Sequence, residues 1–399
     1  MMNLVSIDEI DIKEKRVLIR VDFNTPLTKD GEVADDTRIL AALPTIEYAL
    51  REKARVIIAS HLGRPGGKIH PKLTLDPVGR KLSEILRCEI IFPKDCIGDA
   101  VRKLSGDLSP GGVMLLENLR FHKGEEENDP RFARRLAEIT DIYVNEAFSV
   151  SHRLHASVVG ILDYIETACI GLRFKKEMEN LNRLIENPKH PFVAIFGGRS
   201  ASEKIPIMES LLDKVDTILI GGAVSNTFIK ALGREVGKSV VDQIALYSTA
   251  KLTSSASVRD VRVVLSEDAV LIKGDLNNYS NSFICSTGSF PKDATSVDIG
   301  PKAINDFASR ISRAKTILWN GPLGVYEAED FRKGTIEIAK AIAQSNAFSV
   351  AAGWDTVIAI KRGNLTTGNI YLSTGGKATL EFIQGKNLPG LESLKKRLR

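Results

Sequence analysis

Short apolar runs rich in Val and Ile alternate with amphipathic stretches along most of the 399-residue chain. In the first half, Val17–Phe23, Val56–Ala59, Ile90–Phe92, Val113–Glu117 and Ile142–Asn145 predict strands. Between them, Arg38–Glu52, Asp76–Arg87 and Pro130–Ile139 carry apolar residues at helical spacing. The second half repeats the scheme, with strands predicted at Phe192–Phe196, Thr217–Ile220, Arg262–Leu265, Thr316–Trp319 and Phe348–Ala351. Its helices are predicted at Ser202–Lys214, Ala303–Ala314 and Phe331–Gln344. Strands that are apolar throughout, separated by helices, imply parallel sheets covered on both faces. Two such sets in tandem predict two α/β lobes facing a cleft. The helical segment Phe174–Glu186, closed by Asn187-Pro188, is the predicted link, and the polar stretch Gly274–Lys292 reads as a loop or short hairpin.

Composition changes this picture little. The apolar fraction of 43%, the charged fraction of 26% and a net charge of +5 are those of an ordinary globular chain. Lys and Arg are scattered among Asp and Glu, with no basic stripe or aromatic platform for nucleic acid. Cys88, Cys96, Cys169 and Cys285 form neither a CxxC pair nor a zinc spacing, which suits reduced structural thiols. The first ten residues lack a signal-peptide pattern and no apolar run approaches a membrane span, so a cytoplasmic location is expected.

In open α/β sheets ligands bind beyond the carboxyl ends of the strands, and polar clusters stand there repeatedly. These loops carry Asp22 and Asn24, His61 and Arg64, Arg120, and His152, Arg153 and His155, while Arg38 opens the first helix. Arginine's planar fork binds carboxylate or phosphate in bidentate fashion, so four arginines at neighbouring strand ends suit a small, doubly anionic ligand. Asp22 and Asn24 have two readings: they take a ligand hydroxyl or hold an arginine in place. His152 and His155 are as well suited to supporting an arginine as to touching ligand.

In the second half, Val193-Ala-Ile-Phe-Gly-Gly-Arg-Ser-Ala-Ser-Glu-Lys204 reads as strand, tight glycine turn and helix. Such a turn aims backbone N–H groups and the positive helix end at a phosphate. A helix beginning at Ser202 is expected. Where phosphoryl chemistry favours an ammonium group, the loop offers Ser200. A dehydrogenase fingerprint, GxGxxG after the first strand, is absent, because Asp22-Phe-Asn-Thr-Pro fills that position.

The motifs closely resemble those of the phosphoglycerate kinase family. Arg20-Val-Asp-Phe-Asn-Thr-Pro-Leu is similar to RVDFNVPL, Asp35-Asp-Thr-Arg-Ile to DDTRI, and Ser60-His-Leu-Gly-Arg-Pro to SHLGRP. Leu116-Glu-Asn-Leu-Arg-Phe resembles LENLRF, and Val144-Asn-Glu-Ala-Phe through His152-Arg-Leu-His-Ala-Ser resembles VNDAFGTAHRAHAS. Trp319-Asn-Gly-Pro-Leu-Gly-Val-Tyr-Glu327 is similar to WNGPxGVFE, and Ser373-Thr-Gly-Gly-Lys-Ala to STGGGA. The resemblance implies two Rossmann-like, doubly wound lobes joined by a helical hinge. The acid-binding lobe is expected at residues 1–172, with the tail from about 386 to 399 packing back on it, and the nucleotide lobe at 173–385. It implies reversible phosphoryl transfer between 1,3-bisphosphoglycerate and ADP, giving 3-phosphoglycerate and ATP with Mg2+, in a monomer that engages neither nucleic acid nor membrane.

Carried over residue by residue, the acid would meet Asp22, Asn24, Arg38, His61, Arg64, Arg120 and Arg153. The nucleotide would meet Gly197, Gly198, Lys204, Gly222, Asn320, Glu327, Gly353, Asp355 and Thr356, with Asp355 the magnesium ligand. Arg38, Lys204, Gly353 and Gly376 would attend the phosphoryl group in flight, and Ser200 stands where the family has a catalytic lysine. The nucleotide lobe departs in three further places: Ala223 lies in the counterpart of GGGMAN, Trp354 in that of GGGDT, and Lys377 replaces the last glycine of STGGGA. Three readings are open at this point. The chain is a working kinase in which Lys377 or Arg199 supplies the displaced charge, a kinase of a related phosphorylated acid, or a ligand-binding homologue without turnover.

Overall fold

The computed structural model describes residues 4–274, 282–363 and 368–397. The chain divides into two compact units, one formed by residues up to Glu179 together with those from Asn387 onward, the other by Asn180–Lys386. The division falls within the helix Leu172–Ile185.

The first unit is built on six parallel strands: β1 (Arg16–Arg20), β2 (Arg55–Ala59), β3 (Ile90–Ile91), β4 (Val113–Leu115), β5 (Ile142–Asn145) and β6 (Thr167–Ile170). Their spatial order is β3-β4-β2-β1-β5-β6. The chain runs outward from β1 on one side through β2 and on the other through β5, so the topological switch point lies between β1 and β5. Val17, Leu18, Ile19, Val56, Ile57 and Ile58 are all fully buried, as expected of a sheet covered on both faces. Helices start where capping chemistry permits: Asp129 accepts from the N–H groups of Arg131 (2.8 Å) and Phe132 (3.0 Å), with Pro130 at the first helical position. The tail returns to this unit as the helix Pro389–Arg397, with Leu391 and Leu394 buried and the Gly390 N–H donating to the Ser151 carbonyl.

The second unit contains β7 (Phe192–Phe196), β8 (Thr217–Ile220), β9 (Glu235–Val236), β10 (Arg262–Leu265), β11 (Asp268–Lys273), β12 (Phe283–Ser286), β13 (Ser289–Phe290), β14 (Ala294–Ile299), β15 (Thr316–Asn320), β16 (Phe348–Ala352) and β17 (Ile370–Leu372). Its main sheet is again six-stranded and parallel, in the order β10-β8-β7-β15-β16-β17, which places the switch point between β7 and β15. A small antiparallel sheet, β12-β11-β14, and a two-stranded pair, β13-β9, stand beside it.

Several predicted bounds are corrected. The first strand ends at Arg20 rather than Phe23, and the fourth at Leu115 rather than Glu117. Their apolar runs continue as buried loop, in which Val21, Phe23 and Leu116 are buried and the Val21 and Leu116 N–H groups still donate to the Ala59 (3.0 Å) and Ile58 (2.9 Å) carbonyls of β2. The helix expected to begin at Ser202 starts at Ala201, because the Ser200 hydroxyl accepts from the Glu203 N–H and acts as the cap. Within Gly274–Lys292 the structure places β12 and β13, with β12 antiparallel to β11; residues 275–281 of that stretch lie outside the described residues.

Candidate functional site

In the first unit, Asp22 anchors a polar cluster at the switch point. Arg38 and Ser149 both donate to Asp22 Oδ2, and the Asn24 N–H donates to Oδ1 at 3.1 Å. His61 Nε2 stands 4.0 Å from the same carboxylate. Burial opposes the charge on Asp22, but Arg38, His61 and the hydrogen bonds from Ser149 and Asn24 together outweigh it and hold the carboxyl far below its usual range. The contact with Arg38 matches one of the two roles the sequence allows Asp22, holding an arginine in place. Asn24 Oδ1 accepts from the Gly63 N–H at 2.8 Å, tying the first loop to the one that carries Arg64. Burial and the nearby Arg20, Arg120 and Arg38 push His61 well below its ordinary pKa, so it is neutral at pH 7 and available as a hydrogen-bond partner.

Arg120 sits on the short turn Leu119–Phe121, buried, with Nη1 donating to the Gly63 carbonyl at 2.7 Å. Its Nη2 has no hydrogen-bond partner among the described residues. Burial, with Arg153 and Arg20 nearby, pulls its pKa down to about 10. Glu126, 3.4 Å from Arg120 Nε, and Glu125 offset part of this, but the buried Nη2 remains a donor without a hydrogen-bond partner among the described residues, which suits an anion. The side chains of Arg64 and Arg153 form no ion pair among the described residues. His155 is turned inward, 3.6 Å from the buried Glu125, so it supports the scaffold rather than the ligand face. Sequence reasoning passed over Arg20, which is fully buried, donates to the Ser157 hydroxyl at 2.8 Å and lies 4.0 Å from Glu125. Its place within the Arg-Val-Asp-Phe-Asn run was the available signal.

The second unit contains a cavity of about 1220 Å³ at the carboxyl ends of its strands, roomy enough for a nucleotide. Two backbone turns close on each other at the β7–β15 switch point. The Gly197 N–H donates to the Asn320 carbonyl (3.0 Å) and the Gly198 N–H to the Pro322 carbonyl (2.7 Å). A Cβ at Gly197 would stand 2.2 Å from the Pro322 oxygen, so glycine is required by this approach. At Gly353, φ is +95° and a Cβ would meet Asn320 Nδ2 at 2.7 Å. Lys204 Nζ donates to Asn320 Oδ1 at 2.5 Å, and Asn320 Nδ2 donates to the Ala352 carbonyl at 2.6 Å. Burial lowers the Lys204 pKa, while Glu203 and Asp355 favour its charged form. Thr356 is fully buried, its hydroxyl accepting from the Gly321 N–H (2.7 Å) and donating to the Ala352 carbonyl (2.9 Å), which pins the turn.

Gly198, Lys204, Gly222, Asn320, Glu327, Gly353, Asp355, Thr356 and Gly376 all line this cavity, and so do the departures Ser200, Ala223, Trp354 and Lys377. Trp354 is the first residue of the helix Trp354–Arg362 and only half-buried, so it is part of the cavity wall rather than of the core. Lys377 opens the helix Lys377–Ile383; its ammonium is 3.5 Å from Glu381 and its side chain 71% exposed. Ser200 and Ser202 face Asp242, whose Oδ2 accepts from the Ser202 N–H (2.9 Å) and hydroxyl (2.7 Å) and lies 3.4 Å from the Ser200 hydroxyl. Asp242 was not anticipated from the sequence, because forty residues separate it from the loop it touches. Asp298, buried under the same cavity and accepting from the Gly334 and Ile299 N–H groups, was also unforeseen, and burial raises its pKa to about 7.

Among the described residues, no helix is long and apolar enough to cross a membrane. Residues 7–386 match the family described as Phosphoglycerate kinase. A protein named phosphoglycerate kinase from Acidobacterium capsulatum is 46% identical, over 98% of this chain and 99% of the relative. The structure of phosphoglycerate kinase from Coxiella burnetii superposes with a TM-score of 0.89 at 38% identity, covering 100% of both chains. That of the Pyrococcus horikoshii enzyme gives 0.83 at 29% identity, covering 98% of each. With two six-stranded parallel α/β sheets and a match across nearly its whole length, this chain belongs to the phosphoglycerate kinase family of phosphotransferases.

Proposed function

We propose that the chain is a working phosphoglycerate kinase that transfers a phosphoryl group between the acyl phosphate of 1,3-bisphosphoglycerate and ADP. The observation that carries the acid half is the Arg120 guanidinium, buried with an unpartnered nitrogen beside two other arginines. A carboxylate or phosphate satisfies it. Neutral His61, Asn24 and Arg64 complete the ligand set, while Asp22 holds Arg38 at the edge where the transferring phosphoryl needs charge stabilisation. In the second unit, Gly198, Gly222 and Gly353 on the cavity wall let backbone approach phosphate, Gly197 is buried beneath them and acts through the turn, and Glu327 on the same wall is the ribose contact on this reading. Mg2+ favours carboxylate together with substrate phosphate oxygens, and the exposed Asp355 on the cavity wall fits that need. The ion neutralises phosphate charge when bound; Lys204, half-buried and held by Asn320, supplies the fixed positive charge of the protein itself.

The lysine missing at Ser200 is replaced, on this reading, from another backbone position. Lys377 stands where the family has glycine and lines the same cavity wall, so one cation is lost and another gained around a single ligand. Arg199 lines it too and is the second candidate. The competing reading, a homologue that binds ligand without turnover, is favoured by one observation: the Ser200 hydroxyl is engaged as helix cap and neighbour of Asp242, and carries no charge. A coupled assay of NADH oxidation with 3-phosphoglycerate and Mg-ATP, run beside calorimetry of each ligand, separates them. Turnover that requires both substrates supports the kinase; tight 3-phosphoglycerate binding without turnover rejects it.

A further inference from the structure

Away from both ligand regions, the first unit gathers a second set of chemically able side chains. Asp95 and Cys96 lie on the loop between β3 and the helix Asp99–Asp107, and His122 precedes the helix Lys123–Glu126. One ligand atom from each, a carboxylate oxygen, Sγ and a ring nitrogen, lie within 4.8 Å of one another. The arrangement is held from several sides. His122 Nε2 is 2.6 Å from Asp95 Oδ1, the Cys96 N–H donates to that same oxygen at 2.6 Å, and the His122 ring packs against Phe132 with centroids 5.3 Å apart. Cys96 is fully buried, whereas the side chains of His122 and Asp95 are 31% and 49% exposed. The cluster therefore has a closed sulfur side and an open oxygen–nitrogen side.

We propose that Asp95, Cys96 and His122 form a binding site for a borderline-soft divalent cation of the zinc class, with water in the fourth position. Sulfur, imidazole nitrogen and carboxylate are the donors such an ion takes, and three protein ligands with one face open to solvent match its four-coordinate habit. Magnesium, which favours an all-oxygen octahedron, is excluded by the same donors. Zinc bonds of about 2.0–2.3 Å set ligand atoms roughly 3.5 Å apart, so binding opens the 2.6 Å Asp95–His122 pair by about 1 Å and draws the more widely spaced atoms of the cluster inward. The bookkeeping of protons is simple. The Cys96 S–H bond breaks, an S–metal bond forms and the proton leaves to solvent. The hydrogen between Asp95 and His122 Nε2 moves to Nδ1, which frees the Nε2 lone pair for the ion. Without metal, burial pushes the Cys96 thiol well above its usual range, so the apo thiol is protonated and poorly reactive toward oxidants. The site is also connected to the acid-binding region. His122 lies two positions beyond Arg120 in the chain, so a bound ion stiffens the segment that presents that arginine.

The test uses the full-length protein, treated with chelator and then titrated with Co2+ or Zn2+ alone. We expect one equivalent of Co2+ to raise a thiolate-to-cobalt charge-transfer band in the near ultraviolet that stoichiometric Zn2+ removes and excess Mg2+ does not. His122→Gln and Asp95→Asn, both at half-exposed positions, should keep the fold and weaken Co2+ binding by more than about tenfold, the scale on which even outer partners of a metal site act. Zn2+ should raise the thermal unfolding midpoint of the parent protein and not that of His122→Gln. No thiolate band, or a band of unchanged affinity in both variants and hence owed to Cys88, Cys169 or Cys285, overturns the assignment.

Discussion

Lys377→Gly removes a cation that this chain carries on the nucleotide cavity where its family has glycine. The side chain is 71% exposed and its partner Glu381 is 3.5 Å away, so the lost ion pair is worth about 1 kcal/mol of stability or less. A glycine in the first turn of Lys377–Ile383 adds at most about 1 kcal/mol more. The fold therefore survives. The catalytic cost is of another size. A preorganised charge aimed at a transferring phosphoryl contributes on the order of 3–4 kcal/mol to the barrier, or roughly a hundred- to a thousand-fold in kcat. Steady-state kinetics in the direction of ATP consumption, with thermal unfolding as control, read both quantities. Lys377→Gly should lose at least about a hundredfold in kcat with a nearly unchanged melting profile. Ser200→Lys should then restore most of that loss in the Lys377→Gly background, and change the parent by less than about tenfold. A Lys377→Gly variant with parental kcat refutes relocation of the charge to Lys377, parental kcat in Arg199→Ala as well refutes relocation altogether, and a large gain from Ser200→Lys alone shows the ammonium to be simply missing.

Other consequences follow from the same geometry. Arg120→Lys keeps the charge but loses the fork that serves both Gly63 and a ligand, and calorimetry should show 3-phosphoglycerate binding weakened by about 1.5–3 kcal/mol, roughly ten- to a hundredfold. Burial raises Glu146 to about 7 against the donors Thr45, Arg173 N–H and Phe174 N–H. Between the unfolded value near ~4.3 and this folded value the native protein holds a proton that the unfolded chain has released. Its contribution to stability thus falls as pH rises through that window and levels off above about 7. Infrared spectroscopy should show a protonated-carboxyl band at the acid end of the window that weakens in Glu146→Gln, persists there through Asp298, and disappears in the parent well above pH 7. An unchanged band in Glu146→Gln contradicts the assignment.

The apolar runs at Ile142–Asn145, Phe192–Phe196, Thr217–Ile220 and Arg262–Leu265 marked their strands to the residue, because continuous Val and Ile between helices has few other uses. The edge strands Thr167–Ile170 and Ile370–Leu372 were missed. They are short, and one or more residues of each remain partly exposed, so no uninterrupted apolar run announces them. The antiparallel β12-β11-β14 sheet escaped for a related reason, since Phe283–Ser286 alternates and shows no buried residue. On the site, the arginine-rich strand ends were legible because parallel topology gathers successive carboxyl ends at one edge. The partners that define their chemistry were not. Asp22 meeting Arg38, Ser149 reaching Asp22 across 127 residues and Asp242 capping the Ser200 loop depend on packing between distant segments.

The most direct test of the account follows the phosphoryl group itself. The protein is incubated with ATP carrying labelled γ-phosphate, 3-phosphoglycerate and Mg2+, and the products are trapped with hydroxylamine, which cleaves acyl phosphates. The account predicts label on 3-phosphoglycerate in a hydroxylamine-sensitive form, dependent on both substrates and lost on replacing Lys204 with Met. Label released as inorganic phosphate before hydroxylamine is added, or no transfer despite binding of both ligands, would contradict it.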